Sequence, residues 1–333
     1  MSAQLISSPS PCDAERALCA VHHKYEAFMA EAYLRQGLRD IRDVLGDAGS
    51  PLMQRVAMII IKPEAVVGGR AVPIIEFLES HAFVPILFRR VQLTRNLINT
   101  IWRYQWNVAT LDRLDLAESL YCAGEGVLVI CRDDLFDNET PAPVRLRKLK
   151  GPAQPELRTP GHLRTAIAAP NRTMSMVHAC DEPVDLIRET SILFERVDRR
   201  QLYSEIGAGY RGTKSSELLK AIQEMASLGE ANDLSYESSL LRLRDLVAPA
   251  SFNRLIEMID PSGPKGRHWR PSWIEIEELV RTTAPALSVW DRMVIGATLI
   301  EHDEPGSVCT IDDDGVAHWA AGLGVILPLP NGI

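Results

Sequence analysis

Short apolar runs that alternate with helical patterns constrain the fold of this 333-residue chain more than any other feature. Two of them, RVAMIII and GVLVICR, are continuous and rich in β-branched residues, which is typical of strands buried on both faces. Read along the chain, the four predicted strands are residues 55–61, 83–93, 126–132 and 172–178. Helical periodicity occupies residues 71–81, 94–121 and 183–194. This order predicts an α/β sandwich with a split βαβ, ferredoxin-like sheet that contains antiparallel strands.

The chain is long enough for roughly two domains, or for one domain with large additions. Spaced apolar positions that fit an amphipathic helix predict a helical N-terminal arm over residues 1–51. Residues 52–196 carry the α/β pattern, and residues 197–333 predict a mainly helical C-terminal domain. A Pro-, Asp- and Gly-rich stretch at 133–170 predicts a long loop with short helical pieces.

Composition and charge exclude several function classes. A formal net charge of -8 argues against general binding to nucleic acid or anionic membranes, because phosphate-rich surfaces reward surplus Lys and Arg. No segment reaches the roughly 18 apolar residues of a membrane span, and the N-terminus lacks the pattern of a secretory signal, so a cytoplasmic location is predicted. Six scattered cysteines, with no C-x-x-C pair and no Cys/His cluster at zinc spacing, predict free thiols and no protein-held metal.

A set of polar residues in the α/β segment suits phosphate chemistry. Lys62 follows a buried strand, Arg147 and Arg164 flank the Pro-rich loop, and His178 ends a strand. Transfer of a phosphoryl group needs several cations and one positioned nucleophile or base, and this set supplies both. Each residue alone has an ordinary interpretation, since a lysine at a strand end is usually solvated and a lone histidine is usually structural.

Taken together, these residues resemble the nucleoside diphosphate kinase family. IIIKPEAV (59–66) looks like the family's I-K-P-D-[GA]-V. LKGPAQPELRTPGHLR (149–164) is similar to its L-G-x-T-x-P-x-x-x-x-P-G-[TS]-[IL]-R, and VHACDEPVDLIRETSILF (177–194) resembles its I-H-G-S-D-S-x-x-x-A-x-x-E-I-x-x-[WF]-F. The histidine, aspartate and glutamate of the last motif keep their mutual spacing. The resemblance covers residues 52–196 and implies a nucleoside diphosphate kinase-like domain.

The resemblance implies a phosphohistidine mechanism. His178 would carry the γ-phosphate of ATP, or of another nucleoside triphosphate, to a nucleoside diphosphate in ping-pong fashion. Glu189 would bind the other ring nitrogen and fix the tautomer. Lys62, Arg147 and Arg164 would hold the phosphates, with Mg2+ bridging the remaining oxygens.

Four further residues receive supporting roles from the same resemblance. Tyr104 lies near the family's tyrosine beside the active histidine and would support the lysine or the histidine. Ser175 stands where the family has an asparagine that contacts the nucleotide. Cys180 replaces a serine that assists the histidine and its glutamate, and a thiol is a weaker donor. Asp181 would cap the helix after the histidine.

Other departures from the pattern concern nucleotide recognition. Ala153 replaces a phosphate-binding threonine, and one extra residue lies between Arg164 and His178. The family's aromatic base-stacking segment is replaced by ATLDRLDLAES at 109–119, which leaves as candidates for covering a base Trp106, Leu111 and Leu114. The catalytic residues are therefore better preserved than the nucleotide-binding shell.

Three functions remain open on this reasoning. The first is the phosphotransferase described above. The second is a regulatory module that binds nucleotide with little turnover, and the third is an enzyme of specialised metabolism that uses the same site on a different phosphorylated substrate. The expected partners are a nucleotide substrate, no nucleic acid and no membrane. A homo-oligomer smaller than the family's usual hexamer is also expected, because both additions obstruct compact assembly.

Overall fold

The structure of the protein is a computed structural model, which describes residues 13–259, 272–300, 303–311 and 315–330. The first twelve residues of the expected N-terminal arm, and several stretches of the expected C-terminal domain, lie outside the described residues. No helix in the described part of the chain is both long and apolar enough to cross a membrane.

One antiparallel sheet of four strands forms the centre of the fold. The strands are β1 Val56–Ile61, β2 Phe83–Gln92, β3 Glu125–Asp133 and β4 Val177–Ala179. Their order is β2-β3-β1-β4, and every neighbouring pair is antiparallel. The ferredoxin-like α/β prediction is confirmed.

The last strand is shorter than the predicted 172–178. Asn171 turns the chain before it, because its side-chain oxygen accepts from the backbone N–H of Met174 at 2.8 Å. Met176 then adopts a positive φ of 67°, which interrupts extended pairing. Only three residues are left to pair with β1, and His178 is the middle one.

Helices surround the sheet. In chain order they are α1 Asp13–Arg16, α2 His22–Ala30, α3 Ala32–Leu45, α4 Gly49–Arg55, α5 Pro63–Val67, α6 Ala71–Ser80, α7 Arg95–Ile101, α8 Leu111–Cys122, α9 Ala142–Lys150, α10 Leu163–Ala166, α11 Pro183–Leu193, α12 Arg196–Gly209, α13 Ser215–Leu228, α14 Tyr236–Leu246, α15 Pro249–Ile259, α16 Trp273–Thr283, α17 Val289–Leu299 and α18 Val316–Ala320. The loop expected at 133–170 thus contains α9 and α10 as short helical pieces.

Both faces of the sheet are buried, which explains why β1 is a continuous apolar run. Val56, Met58 and Ile60 point into a core shared with α2, α3, α11 and α12. Their neighbours Ala57, Ile59 and Ile61 point into a second core, which includes residues of α6, α8 and the C-terminal helices. Strand side chains alternate between faces, so a strand covered on both sides needs an apolar residue at every position.

The terminal additions therefore contribute helices to both cores. The helix α3 packs against α11 and α12, and α16 and α17 pack against α8. The division at residues 51 and 196 stays a prediction, since these helices share their cores with the α/β segment.

Asp40 on α3 anchors the N-terminal helices. Its side chain is fully buried and pairs with Arg199 of α12, whose Nε lies 3.0 Å from Oδ2. Burial opposes the carboxylate, but hydrogen bonds and charge from Arg199 outweigh it and hold the pKa of Asp40 below its usual range. A depressed pKa means that this stabilisation is present above pH 3.8, the ordinary value, and is lost as the pH falls through the lower folded value.

We expect Asp40→Asn to lower the free energy of unfolding at pH 7 by about 3–5 kcal/mol, because Arg199 stays buried without a charged partner. The variant should also lose less stability than the wild type as the pH falls below 3.8. Urea denaturation at several pH values measures both effects. The matched control is Asp43→Asn, which removes a 43% exposed partner of Arg200 and should cost about 1 kcal/mol at most. Equal losses in the two variants would contradict this account.

Candidate active site

His178 is held in place by the sheet. It lies opposite Ile60 in the β1–β4 pairing, between Val177 and Ala179, and its side chain is 15% exposed. The backbone N–H of Lys62, just past the end of β1, bonds to the carbonyl of Met176 at 3.0 Å. The histidine and the lysine therefore stand at the same edge of the sheet.

Both ring nitrogens of His178 have partners that define the tautomer. Nε2 lies 2.7 Å from Oε2 of Glu189 on α11, and Nδ1 lies 3.3 Å from Nε1 of Trp102. A carboxylate only accepts and an indole N–H only donates, so Nε2 carries the proton and Nδ1 presents its lone pair. The atom with nucleophilic capacity is thus Nδ1.

Cys180 adds a second contact to the same carboxylate oxygen. Its Sγ donates to Oε2 of Glu189 at 3.4 Å, in the position expected for the family's serine. Burial, followed by the charge of Glu189, raises the pKa of the Cys180 thiol well above its usual range. The group is therefore a thiol at neutral pH and a weak donor.

Lys62 lies at the same edge of the sheet as His178, but its amine is already paired. Its Nζ lies 2.8 Å from Oε1 of Glu64, 3.1 Å from Oγ of Ser175 and 4.1 Å from the ring centroid of Tyr121. Its side chain is 1% exposed. Ser175 is thus a partner of Lys62, and its expected contact with the nucleotide stays a prediction.

In this conformation Arg164 bonds to the backbone, whereas the resemblance implies that it binds phosphate. Its guanidinium donates to three backbone carbonyls, those of Ser175 at 3.2 Å, Gly151 at 2.7 Å and Val177 at 2.9 Å. Burial, and then the nearby charge of Arg147, lower its pKa to about 9, so it remains charged at neutral pH. These donors hold the loop to β4 in this conformation, and phosphate binding by Arg164 stays a prediction.

Asp181 does not cap α11, which corrects the sequence expectation. Glu182 occupies the N-cap position, and its backbone N–H donates to Oδ2 of Asp185 at 2.8 Å. Asp181 instead pairs with Nε of Arg147 at 2.8 Å and approaches Nζ of Lys150 at 3.6 Å. Burial opposes its charged form, but the two cations outweigh burial and hold the pKa of Asp181 below its usual range.

Lys150 is a residue that sequence reasoning missed. Its Nζ donates to the carbonyl of Ala179 at 2.9 Å, directly behind His178. Burial outweighs the attraction of Asp181 and lowers the pKa of Lys150 to about 7. The available signal was the position of Lys150 between Leu149 and Gly151, where the family pattern has Leu and Gly adjacent.

Tyr104 does not contact the lysine or the histidine, which corrects another expectation. Its hydroxyl donates to the carbonyl of Ala27 at 3.3 Å, and its ring packs against Phe28 of α2. Tyr104 therefore packs against the N-terminal helix α2 and does not face the site. Two other aromatic residues take the expected contacts, Trp102 at His178 and Tyr121 at Lys62.

The candidates for covering a base form no open base site. Trp106 stacks on Trp102 with ring centroids 5.0 Å apart, and the cavity that it lines together with Leu114 measures about 20 Å³. A space of that size holds a water molecule and no nucleobase. Leu111 is 76% exposed.

The indole N–H of Trp102 shields Nδ1, the unprotonated ring nitrogen of His178. We expect Trp102→Phe, which keeps a ring and removes the donor, to raise the rate at which diethyl pyrocarbonate modifies His178 by about fivefold, the equivalent of one lost hydrogen bond. Peptide mass spectrometry measures the rate at this histidine separately from the others. Trp106→Phe is the matched control and should leave the rate unchanged. An unchanged or slower rate in Trp102→Phe would exclude the shielding role.

The fold and the site together define an α/β domain with a glutamate-oriented histidine at its sheet edge. Residues 55–198 match the family model described as nucleoside diphosphate kinase. The central domain of this chain belongs to that family, and the match covers less than half of the chain.

A solved structure, an NDP kinase from Pyrobaculum aerophilum, is similar to part of the chain. It shares 17% sequence identity over 42% of this chain and 96% of its own, with a TM-score of 0.34. No protein with a curated description matches.

Proposed function

We propose that this protein is a phosphotransferase that moves the γ-phosphate of a nucleoside triphosphate through Nδ1 of His178 to a nucleoside diphosphate or a related acceptor. The observation that carries the proposal is the 2.7 Å contact between Nε2 and Glu189. This contact keeps the proton on Nε2 and leaves the lone pair on Nδ1. That lone pair can then attack a phosphorus atom.

The reaction has two balanced halves. The Nδ1 lone pair attacks the γ-phosphorus, the bond to the β–γ bridging oxygen breaks, and the nucleoside diphosphate leaves with that electron pair. The ring becomes positively charged, and Glu189 stabilises it through the retained Nε2–H. In the second half, a terminal phosphate oxygen of the acceptor attacks the same phosphorus, and the pair of the N–P bond returns to Nδ1.

Basic groups beside His178 suit the charge of the transferred group. Arg147 is 26% exposed and Lys150 lies behind the histidine, while Lys62 stands at the same edge of the sheet. Cations placed where negative charge develops lower the barrier to phosphoryl transfer. Incoming phosphates would compete with Asp181 for Arg147 and with Glu64 for Lys62, which links phosphate binding to the opening of these ion pairs.

Mg2+ fits this site only through nucleotide phosphates. Such sites hold Mg2+ with one or two carboxylates and the phosphate oxygens of the substrate. Asp181 is a partly exposed carboxylate nearby, but it is paired with two basic side chains. When bound, the ion would neutralise phosphate charge, while the residues of this chain orient the histidine and the phosphates.

One observation favours the second function, a regulatory nucleotide-binding module. Two of the three expected phosphate ligands already have other partners. Lys62 pairs with Glu64 and donates to Ser175, and Arg164 donates to backbone carbonyls. Ala153 also lacks the donor of the family's threonine. Under this alternative, nucleotide binds without formation of phosphohistidine. A cytoplasmic location and an oligomer smaller than a hexamer stay predictions from the sequence.

A two-step transfer experiment tests the proposal. The full-length protein is incubated with γ-labelled ATP and Mg2+, separated from nucleotide, and then mixed with each nucleoside diphosphate in turn. We expect the isolated protein to carry label and to pass it to at least one acceptor as the triphosphate. Tight nucleotide binding without transferable label would support the regulatory module instead.

Glu189→Gln should separate orientation from binding. The amide can donate to Nε2 and so favours the wrong tautomer, and comparable losses of an orienting carboxylate lower turnover by about 10²- to 10⁴-fold. Nucleotide affinity should change little, because Glu189 contacts the ring and no phosphate. Single-turnover labelling measures the rate, with the exposed Asp198→Asn on α12 as control. A wild-type rate in Glu189→Gln would remove the orienting role.

A further inference from the structure

Glu189 gathers three different metal-ligating groups into one compact set. A ring nitrogen of His178, Sγ of Cys180 and a carboxylate oxygen of Glu189 lie within 4.8 Å of one another. Among the residues that the structure describes, this is the one group of His, Cys, Asp or Glu side chains that is placed to hold a metal ion. Phosphoryl transfer needs the histidine and the glutamate, but it gives no reason for sulfur at this point.

We propose that His178, Cys180 and Glu189 bind a soft divalent cation, with Zn2+ as the best match. Imidazole nitrogen, thiolate sulfur and carboxylate oxygen are the ligands of protein zinc sites, at about 2.0–2.3 Å from the ion. The sulfur discriminates against Mg2+, which prefers oxygen ligands. Three protein ligands leave one tetrahedral position open for water or an exogenous ligand.

Two rigid elements bring the ligands together. His178 lies in β4, and Cys180 directly follows the last residue of that strand, so the two side chains leave the same face of the extended chain. The backbone N–H of Cys180 continues the ladder by bonding to the carbonyl of Met58 at 3.4 Å. Glu189 faces them from α11 and is already 2.7 Å from Nε2 and 3.4 Å from Sγ. Ligand atoms around a tetrahedral ion need only a small outward shift from these separations.

The exchange of protons for metal is chemically balanced. At present two protons point at Oε2 of Glu189, one from Nε2 and one from Sγ. On metal binding the thiol proton leaves to solvent, and the imidazole proton moves from Nε2 to Nδ1, so the ring stays neutral. The cation then occupies the position between the three ligand atoms, where it replaces both hydrogen bonds.

This tautomer change affects Trp102. A protonated Nδ1 faces the indole N–H that now donates to it at 3.3 Å, and two donors do not form a hydrogen bond. The indole must turn away from His178 when the metal binds. Metal binding is therefore coupled to a movement of Trp102, which intrinsic fluorescence reports.

Metal and phosphate exclude each other at His178, a consequence that rests on the proposed function. With the ion on Nε2 and the proton on Nδ1, the ring has no lone pair for phosphorus. Soft divalent cations would therefore switch phosphotransfer off through the cysteine that stands in place of the family's serine.

Cobalt(II) spectroscopy tests the site without any use of phosphotransfer. The full-length protein is freed of metal with a chelator and titrated with Co2+. We expect one cobalt ion per chain, a near-ultraviolet thiolate-to-cobalt charge-transfer band, tetrahedral visible bands, and their loss on addition of Zn2+. Tryptophan fluorescence should change over the same titration in the wild type, and much less in Trp102→Phe.

Matched cysteine variants identify the ligand. Cys180→Ser should lose the charge-transfer band, whereas Cys309→Ser, which alters another cysteine, should retain it. Glu189→Gln is a second variant and should weaken Co2+ binding by at least tenfold, with circular dichroism to verify folding. Absence of the band in the wild type, or its persistence in Cys180→Ser, overturns the proposal.

One added arm separates this inference from the proposed function. One equivalent of Zn2+ should abolish phosphohistidine labelling in the wild type. If the band forms but no labelling occurs even without Zn2+, the metal site stands and the phosphotransferase proposal fails. If labelling occurs and no band forms, the opposite holds.

Discussion

Replacement of His178 by asparagine is expected to lower nucleotide-dependent phosphoryl transfer by about 10⁴-fold or more, since loss of a covalent nucleophile removes the pathway itself. Asparagine has a similar polar character and can still bond to Glu189, so the pairing of β4 with β1 should be retained. Single-turnover labelling with γ-labelled ATP measures the loss.

The control for this experiment is His22→Asn, which alters a 69% exposed histidine on α2 and should label at the wild-type rate. Thermal unfolding of both variants verifies that the fold is intact. Retention of most of the label in His178→Asn would show that another residue accepts the phosphate.

The second large effect concerns stability. Arg164→Met keeps the aliphatic stem and removes the guanidinium, which leaves the carbonyls of Gly151, Ser175 and Val177 without their donor. Each buried carbonyl that loses its partner costs about 1–3 kcal/mol, and the costs are not additive. We expect the free energy of unfolding to fall by about 3–5 kcal/mol, as for other broken buried networks.

Arg147→Met is the matched control for Arg164→Met. Arg147 lies on α9, is 26% exposed and pairs with Asp181, so its loss should change stability by about 1 kcal/mol or less. Urea denaturation compares the two variants directly. If Arg164→Met unfolds like the wild type and only loses nucleotide affinity, Arg164 is a phosphate ligand and its backbone bonds are incidental.

The sequence predicted the strands of the sheet because the signal for a strand lies in a short stretch of consecutive residues. An apolar run that is rich in β-branched residues is compatible with a strand covered on both faces, and β1 is such a strand. The motif spacing between His178 and Glu189 also predicted correctly that these two side chains meet. A short strand followed directly by a helix allows few geometries, and the two side chains meet at 2.7 Å.

Motif positions did not predict which partners the polar side chains choose. Asp181 and Tyr104 occupy their expected places in the chain, but the first pairs with Arg147 and the second with the carbonyl of Ala27. A long polar side chain takes the strongest partner within reach, and that partner often lies on a distant segment. The contact of Trp102 with His178 depends in the same way on how the chain turns after α7.

Glu182 shows how distant segments meet in a way that local patterns do not reveal. This fully buried carboxylate accepts from the backbone N–H of Ala20 at 2.7 Å and from the indole of Trp319 at 2.9 Å, and it pairs with Lys24 at 3.1 Å. Both additions thus bond to the N-cap residue of α11, the helix that presents Glu189. The additions were predicted as separate segments, but both contact the N-cap of α11, the helix that also carries Glu189 of the candidate site.

The identity of the phosphorylated residue shows most directly whether His178 carries the phosphate. The full-length protein is incubated with ATP and Mg2+ and analysed by mass spectrometry and ³¹P NMR at alkaline pH. We expect one acid-labile, alkali-stable phosphate on Nδ1 of His178, absent from His178→Asn and formed much more slowly in Glu189→Gln. A protein that binds ATP but carries no phosphate on His178, or carries it on another residue, would show that His178 is not the phosphate carrier.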